Sequence, residues 1–203
     1  MTVDTGYFER MYAGSADPWE FETRWYDRRK YQLTAACLPR PRYRSGFEPA
    51  CSIGVLSTLL APRCASLLCG DLVPAAVQRA RRRLAEHPHV RVERQALPQD
   101  WPDATFDLIV LSEVLYYFTD DQLERVLDRT RGSLEPDGDL IVAHWRHPVA
   151  EHHRSGDEVH EAIGGMAGLA RLGGYLDDDF RLDVFTRTPP PPRSVAAIDG
   201  LTG

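Results

Sequence analysis

The sequence predicts an α/β fold of parallel βαβ units, on three observations. Short apolar segments alternate with helical patterns through the middle of the chain. One of them, Phe106 to Glu113, is apolar almost throughout, as a central parallel strand covered on both faces must be. Glu48-Pro49-Ala50-Cys51-Ser52-Ile53-Gly54 sets a turn of small residues after an acid, and a second acid, Asp71, follows about 20 residues later, the spacing of a nucleoside site in such sheets.

Residues 1 to 22 read as irregular and aromatic (Tyr7, Phe8, Tyr12, Trp19, Phe21), with a turn or helix start at Asp17-Pro18. Arg24 to Leu38 reads as a helix with Tyr26, Leu33 and Cys37 on one face, ended by Pro39 and Pro41. A short strand leads into Glu48, with only Gly46-Phe47 unpolar before the acid. Ile53 to Leu60 is expected to be helical, with Pro62 as its stop, and Ser66 to Asp71 to be a buried strand. Pro74 opens a helix that continues through Val77, Ala80 and Leu84. Val90 to Gln95 alternates as a strand does, Phe106 to Glu113 is the central strand, and Asp120 to Leu134 is a helix. Pro136-Asp137-Gly138 reads as a turn and Leu140 to Trp145 as another buried strand. Asp157 to Ile163 is expected to be helical, the glycine-rich stretch from Gly164 to Gly174 loose, and Phe180 to Thr186 a last strand. One domain over 1–188 is expected, its first 40 residues forming an N-terminal helical lid, followed by a disordered Pro-rich tail over 189–203.

A net charge of -6 and a pI near 5.6 speak against nucleic acid as the main partner, since phosphate binding leaves a basic footprint. The positive charges are arginines except for Lys30. The polar N-terminus is no signal peptide, and no apolar run approaches membrane-spanning length, so a cytoplasmic protein without a membrane partner is expected. Cys37, Cys51, Cys64 and Cys69 form no C-x-x-C pair, which predicts reduced thiols and no metal site.

The turn after Glu48 has a single glycine, Gly54, where a dinucleotide site would want G-x-G-x-x-G, and Glu48 would repel a diphosphate. Asp71 suits both hydroxyls of a ribose. A cofactor with a nucleoside but no phosphate fits these residues, and S-adenosyl-L-methionine is one, leaving S-adenosyl-L-homocysteine as product.

Together with Phe106 to Tyr117 and Leu134-Glu135-Pro136-Asp137-Gly138, in this order, these residues resemble the class I S-adenosylmethionine-dependent methyltransferases. More closely, the chain is similar to the nodulation protein S (NodS-like) family of N-methyltransferases. That resemblance lies in Asp17-Pro18-Trp19-Glu20-Phe21-Glu22-Thr23, Tyr26, Lys30-Tyr31, Cys51 to Leu56, Ser112 to Tyr117, His144-Trp145-Arg146 and Gly156 to His160, and runs over most of residues 7 to 187. It implies a Rossmann-like, seven-stranded, mostly parallel sheet in the order 3-2-1-4-5-7-6, helices on both faces and strand 7 antiparallel. It also implies an amine as methyl acceptor, on an amino sugar or similar natural-product intermediate. Two departures are Ala50, where many relatives have glycine and which a negative φ would make tolerable, and Asp137 in the place of a turn glycine.

For cofactor binding the expected residues are Asp71 at the ribose, Glu48, Ala50, Cys51 and Gly54 around the methionine portion, Leu72, Gln95, Ala96 and Leu97 at adenine, and Ser112 and Glu113 at the edge of the fourth strand. Trp19, Tyr26 and Tyr31 are expected to close over the sulfonium, and Arg29 or Lys30 to pair the methionine carboxylate. Tyr116, Tyr117, Trp145, Arg146 and His160 are expected at the acceptor, with His152 and His153 in the same segment. Glu113 and His144 are the candidates to take the acceptor's proton, although methyl transfer to a free amine can proceed by alignment alone. The alternatives are a small-molecule O-methyltransferase and a catalytically silent regulatory partner. The chain is expected to be a monomer or homodimer.

Overall fold

The computed structural model describes residues 5–202. In chain order it contains α1 (Thr5–Gly14), α2 (Trp25–Ala36), β1 (Tyr43–Pro49), α3 (Ser57–Leu60), β2 (Cys64–Asp71), α4 (Pro74–Arg83), β3 (Val90–Arg94) and β4 (Phe106–Ser112). Then come α5 (Asp120–Ser133), β5 (Leu134–Trp145), α6 (Gly156–Gly164), β6 (Leu169–Leu176), β7 (Phe180–Arg187) and α7 (Val195–Ile198). The seven strands form one sheet in the order β3-β2-β1-β4-β5-β7-β6, the order implied by the resemblance. The pairs from β3 to β5 are parallel, and β7 runs antiparallel to both β5 and β6.

The apolar run of β4 has a simple cause. Side chains alternate faces along a strand. Leu108 and Val110 enter one core with Leu60 of α3 and Val77 and Ala80 of α4, while Ile109 and Leu111 enter the other with Val126 of α5 and Val159 of α6. β5 divides in the same way, Ile141 and Ala143 against Leu140 and Val142. Both faces are dry, so neither parity is polar.

Several elements differ from the expectation. The aromatic N-terminal stretch contains a helix, α1, whose Tyr12 packs with Ile53, Val73 and Ala76. In α2 the fully buried positions are Asp27, Lys30, Tyr31 and Thr34, while the expected face of Tyr26, Leu33 and Cys37 is partly buried and packs against the core that holds Tyr31, Leu108 and Val110. Strand β1 is seven residues long despite its polar start. The Asp107 carboxylate accepts hydrogen bonds from the backbone N–H groups of Arg44 and Ser45, at 2.8 Å each, and Tyr43 is buried with its hydroxyl on Asp139 at 2.8 Å. The helix expected over Ile53 to Leu60 is confined to Ser57–Leu60, because 51–56 is a loop, and Pro62 sits within a following 3-10 turn, Ala61–Arg63. The turn at Pro136 to Gly138 is a bulge inside β5, where pairing with β4 jumps from Phe106↔Leu134 to Leu108↔Asp139. The glycine-rich stretch holds edge strand β6, whose register shifts between Arg171 and Gly173. A Cβ at Gly174 would come within 2.1 Å of the Leu182 carbonyl, so glycine permits the close approach of β6 to β7. Among the described residues beyond 188 the one helix is the four-residue α7, with none of its residues buried.

Among the described residues no helix is long and apolar enough to cross a membrane. The parallel strands present their carboxyl ends along one edge, and there the loops Ala50 to Leu56, Leu72-Val73, Gln95 to Gln99 and Glu113 to Phe118 converge.

Candidate active site

A cavity of about 780 Å³ opens at this edge, between the strand ends and the segment formed by α1, the loop to α2, and α2 itself. It is lined by Glu48, Ala50, Cys51, Asp71, Leu72, Gln95, Ala96, Leu97, Ser112 and Glu113 from the sheet side, and by Trp19, Tyr26 and Tyr31 from the N-terminal side. Tyr116, Tyr117, Trp145 and His152 border it as well. Sheet order fixes their sequence along the edge: Gln95 after β3, Asp71 on β2, Ala50 after β1, Glu113 after β4, Trp145 on β5.

Asp71 is buried, with Oδ2 accepting from the Ser52 N–H at 2.8 Å and Oδ1 from the Val73 N–H at 2.9 Å. Each oxygen keeps a lone pair for a further donor. Burial pushes this carboxyl up to about 6 against the pull of those N–H groups. Glu48 is more enclosed. It bonds the Ser57 hydroxyl at 2.5 Å and lies 3.7 Å from the Cys69 thiol, so it ties α3 and β2 together. Burial pushes it up to about 8, which makes the protonated acid the main form at neutral pH.

The turn itself is strained. Ala50 has φ 57° and Ser52 φ 52°, both in the left-handed region, so Ala50 does not meet the expectation of a negative φ. Gly54 has φ 79° and faces away from the cavity; a Cβ there would press within 3.2 Å of Ala80 on α4. Its part is to let the loop pack on that helix.

Gln95 bears directly on the fit of an adenosyl cofactor. Its Oε1 is buried with no hydrogen-bond partner, beside Gly70, where a Cβ would lie 1.9 Å away. Gln95 lines the cavity, and its carboxamide can meet the exocyclic amine of adenine by turning out from its place against Gly70. Asp71 lies on the neighbouring strand, its carbonyl accepting the Gln95 N–H at 2.9 Å, and its carboxylate suits the ribose. The residues present therefore fit S-adenosylmethionine.

Further along the same cavity lies a charged cluster. Lys30, 2% exposed, reaches the Asp27 carboxylate at 3.2 Å and Glu113 Oε1 at 2.8 Å, with its Nζ 4.9 Å from the Tyr26 ring centroid and 5.4 Å from that of Tyr31. Glu113, itself at φ 56°, accepts two more hydrogen bonds on Oε2, from the Trp145 N–H at 3.1 Å and the Tyr116 hydroxyl. Two carboxylates and one ammonium leave this wall net negative. Above it the aromatic rings interlock: Trp19 stacks on Phe21, Phe8 meets Tyr117 edge-on at 5.0 Å, and Tyr26 meets Trp145 edge-on at 5.2 Å.

Four other expected site residues stand outside the cavity. Arg29 turns toward the β6–β7 end, bonding Asp177 at 3.0 Å and Tyr175, because adjacent residues on a helix point about 100° apart and Lys30 takes the inward direction. Arg146 is clamped on Asp157 by 3.0–3.1 Å hydrogen bonds and on the Asp177 carbonyl. His144 and His160 are wholly buried under the floor. His144 Nε2 accepts the Leu115 N–H at 3.3 Å, its Nδ1 lies 3.2 Å from His160 Nε2, and His160 Nδ1 lies 2.7 Å from Asp183. Since His144 Nε2 accepts, its proton is on Nδ1 and points at His160, whose own proton then faces Asp183. Burial, then the neighbouring His160, drive the His144 pKa well below the usual histidine range, and it is a neutral structural link. Residues not singled out by the sequence also line the cavity: Asp27, Gln99 and Gln122, with Tyr12, which bonds Ser52 Oγ at 2.5 Å.

The family model for nodulation protein S matches residues 7–163. This chain belongs to the nodulation protein S family. Nodulation protein S of Rhizobium tropici is 30% identical over 151 residues, a match that covers 72% of this chain and 63% of that protein, less than two thirds of its length. The structure of N-methyltransferase NodS from Bradyrhizobium japonicum in complex with S-adenosyl-L-homocysteine is 27% identical, covering 92% of this chain and 98% of that one, with a TM-score of 0.81. A crystal structure from Pseudomonas syringae is 44% identical over 81% of this chain and 100% of its own, with a TM-score of 0.72.

Proposed function

We propose that this NodS-family chain transfers a methyl group from S-adenosylmethionine to the amine of a small molecule, with an amino sugar as the acceptor class. The observation that carries this reading is one continuous cavity holding a ribose-type carboxylate, Asp71, with Gln95 on the same wall, before a charged aromatic wall at Lys30 and Glu113.

When bound, the cofactor supplies a methyl carbon made electrophilic by its sulfonium. Asp71 receives the ribose hydroxyls and Gln95 the adenine amine, with Leu72, Ala96 and Leu97 packed on the base. The backbone at Ala50 and Cys51 and the side chain of Ser112 border the methionine portion. Lys30, not Arg29, is the basic group of α2 within the cavity. Trp19 and Tyr31 exclude water and present π faces to positive charge. The Asp27–Lys30–Glu113 wall favours a cation beside it, and Tyr116, Tyr117 and Trp145 shape the space for the acceptor. Holding nitrogen, carbon and sulfur in line supplies much of the rate, since alignment of reactants is worth several kcal/mol by itself.

The test is incubation with methyl-labelled S-adenosylmethionine and glucosamine, read by mass spectrometry with fragmentation. Label on nitrogen is the expected result. Label on oxygen would favour an O-methyltransferase, and no transfer to glucosamine or to a panel of other amines and alcohols would favour the silent-partner reading.

A further inference from the structure

An acceptor amine has to lose a proton before it can attack, and the two groups expected from sequence to take it are poorly placed. His144 is walled off beneath the floor, with both ring nitrogens engaged. Glu113 already accepts from Lys30, Trp145 and Tyr116. Among the described residues one histidine lines the cavity, His152 on the loop between β5 and α6.

Its ring lies flat on Tyr116, centroids 3.6 Å apart at 17°, and meets Tyr117 edge-on at 4.8 Å. Both tyrosines belong to the 3-10 turn that follows Glu113. The loop is fastened at several points: the His152 N–H donates to the Val149 carbonyl at 3.1 Å, the His153 N–H to the Tyr116 carbonyl at 2.8 Å, and Arg154 Nη1 to the Phe118 carbonyl at 2.8 Å. Ser155 then caps α6 in a capping box with Glu158. The imidazole is thus held on a rigid mount, half-buried, with neither nitrogen hydrogen-bonded to a described residue.

We propose that His152 is the proton acceptor for the amine in this reaction, a step that rests on the N-methyl transfer reading above. An N–H bond of the bound ammonium breaks and its proton moves to a ring nitrogen of His152. The lone pair left behind forms the N–C bond as the C–S bond breaks, and the sulfur leaves as a neutral thioether. The imidazolium returns its proton to water at the cavity mouth, so atoms and charge balance without a further reactant. The titratable groups around the ring are Glu113 after β4, Tyr116 and Tyr117 on the 3-10 turn, His144 on β5, held neutral by burial, and Glu151 on its own loop. Burial lowers the His152 pKa more than Glu113 and Glu151 raise it, which keeps the ring neutral and able to accept at pH 7.

The experiment compares wild type with His152→Phe, which keeps the stack on Tyr116 but has no nitrogen, and with His152→Gln, which serves if the first does not fold. Both should bind S-adenosylhomocysteine as wild type does by calorimetry. Their kcat/KM for glucosamine at pH 7 should fall about 10²-fold, and the acidic limb of the wild-type pH profile should disappear. In ¹³C-histidine-labelled wild type, the resonance absent from His152→Phe should titrate and should shift when glucosamine is added with S-adenosylhomocysteine. Wild-type rates and an unchanged profile in both variants, or a resonance indifferent to glucosamine, would overturn the role of His152 while leaving the methyl-transfer reading intact. A wild type inactive on every amine would overturn that reading and this one with it.

Discussion

Glu48 shows what a single buried acid contributes. The Ser57 hydroxyl and Cys69 thiol are weaker compensation than an arginine would be, and burial lifts its pKa from 4.5 to about 8. A folded-state value above the unfolded one means that the native protein holds the proton more tightly. The stability from this residue is therefore complete below pH 4.5 and declines as pH rises toward 8. Glu48→Gln should remove the decline. In urea titrations of ligand-free protein from pH 5 to 8, wild type should lose on the order of a few kcal/mol relative to the variant. Parallel curves would mean that the carboxyl is ionised throughout. At this scale the sequence was only partly legible. Asp71, Gln95 and Glu113 were readable because they stand at or just past the ends of strands, along the edge where the cavity opens. His144 was misread because consecutive strand residues point to opposite faces, and Trp145 takes the cavity side. His152 follows no strand and belongs to no periodic pattern, so its inward position depends on hydrogen bonds between distant loops.

Among the elements, legibility follows how uniform the surroundings are. β4 and β5 were evident because both faces are apolar, and α6 because Ser155 and Glu158 write its start into the sequence. β6 escaped because an edge strand needs no continuous apolar run, and its glycines serve the approach to β7. α1 escaped because its aromatic residues are shared between sheet and cavity and trace no single stripe. Yet α1 supplies Tyr7, Phe8 and Tyr12 to the cavity. Removal of residues 1–14 should leave the sheet folded, with far-UV circular dichroism little changed, and should weaken S-adenosylhomocysteine binding at least about tenfold, since aromatic contacts of this kind are worth roughly 1 kcal/mol each. Undiminished binding would show that the cofactor rests on the sheet alone.

For the whole molecule, the crossover between β1 and β4 decides where chemistry can happen. β1 leads outward to β2 and β3 on one side, and β4 leads to β5 on the other, so their carboxyl ends part and leave the crevice that the N-terminal segment covers. Sequence alternation alone conveys the parallel units but not this strand order, which came from the family resemblance and is present in the structure. In the proposed function the crevice is a site for an adenosyl cofactor without a diphosphate. Calorimetric titration with S-adenosylmethionine, S-adenosylhomocysteine and NAD, in wild type and Asp71→Ala, tests it most directly. Binding of the first two only, lost in the variant, is the expected result. Binding of NAD, or S-adenosylhomocysteine affinity unaffected by loss of the Asp71 carboxylate, would contradict it.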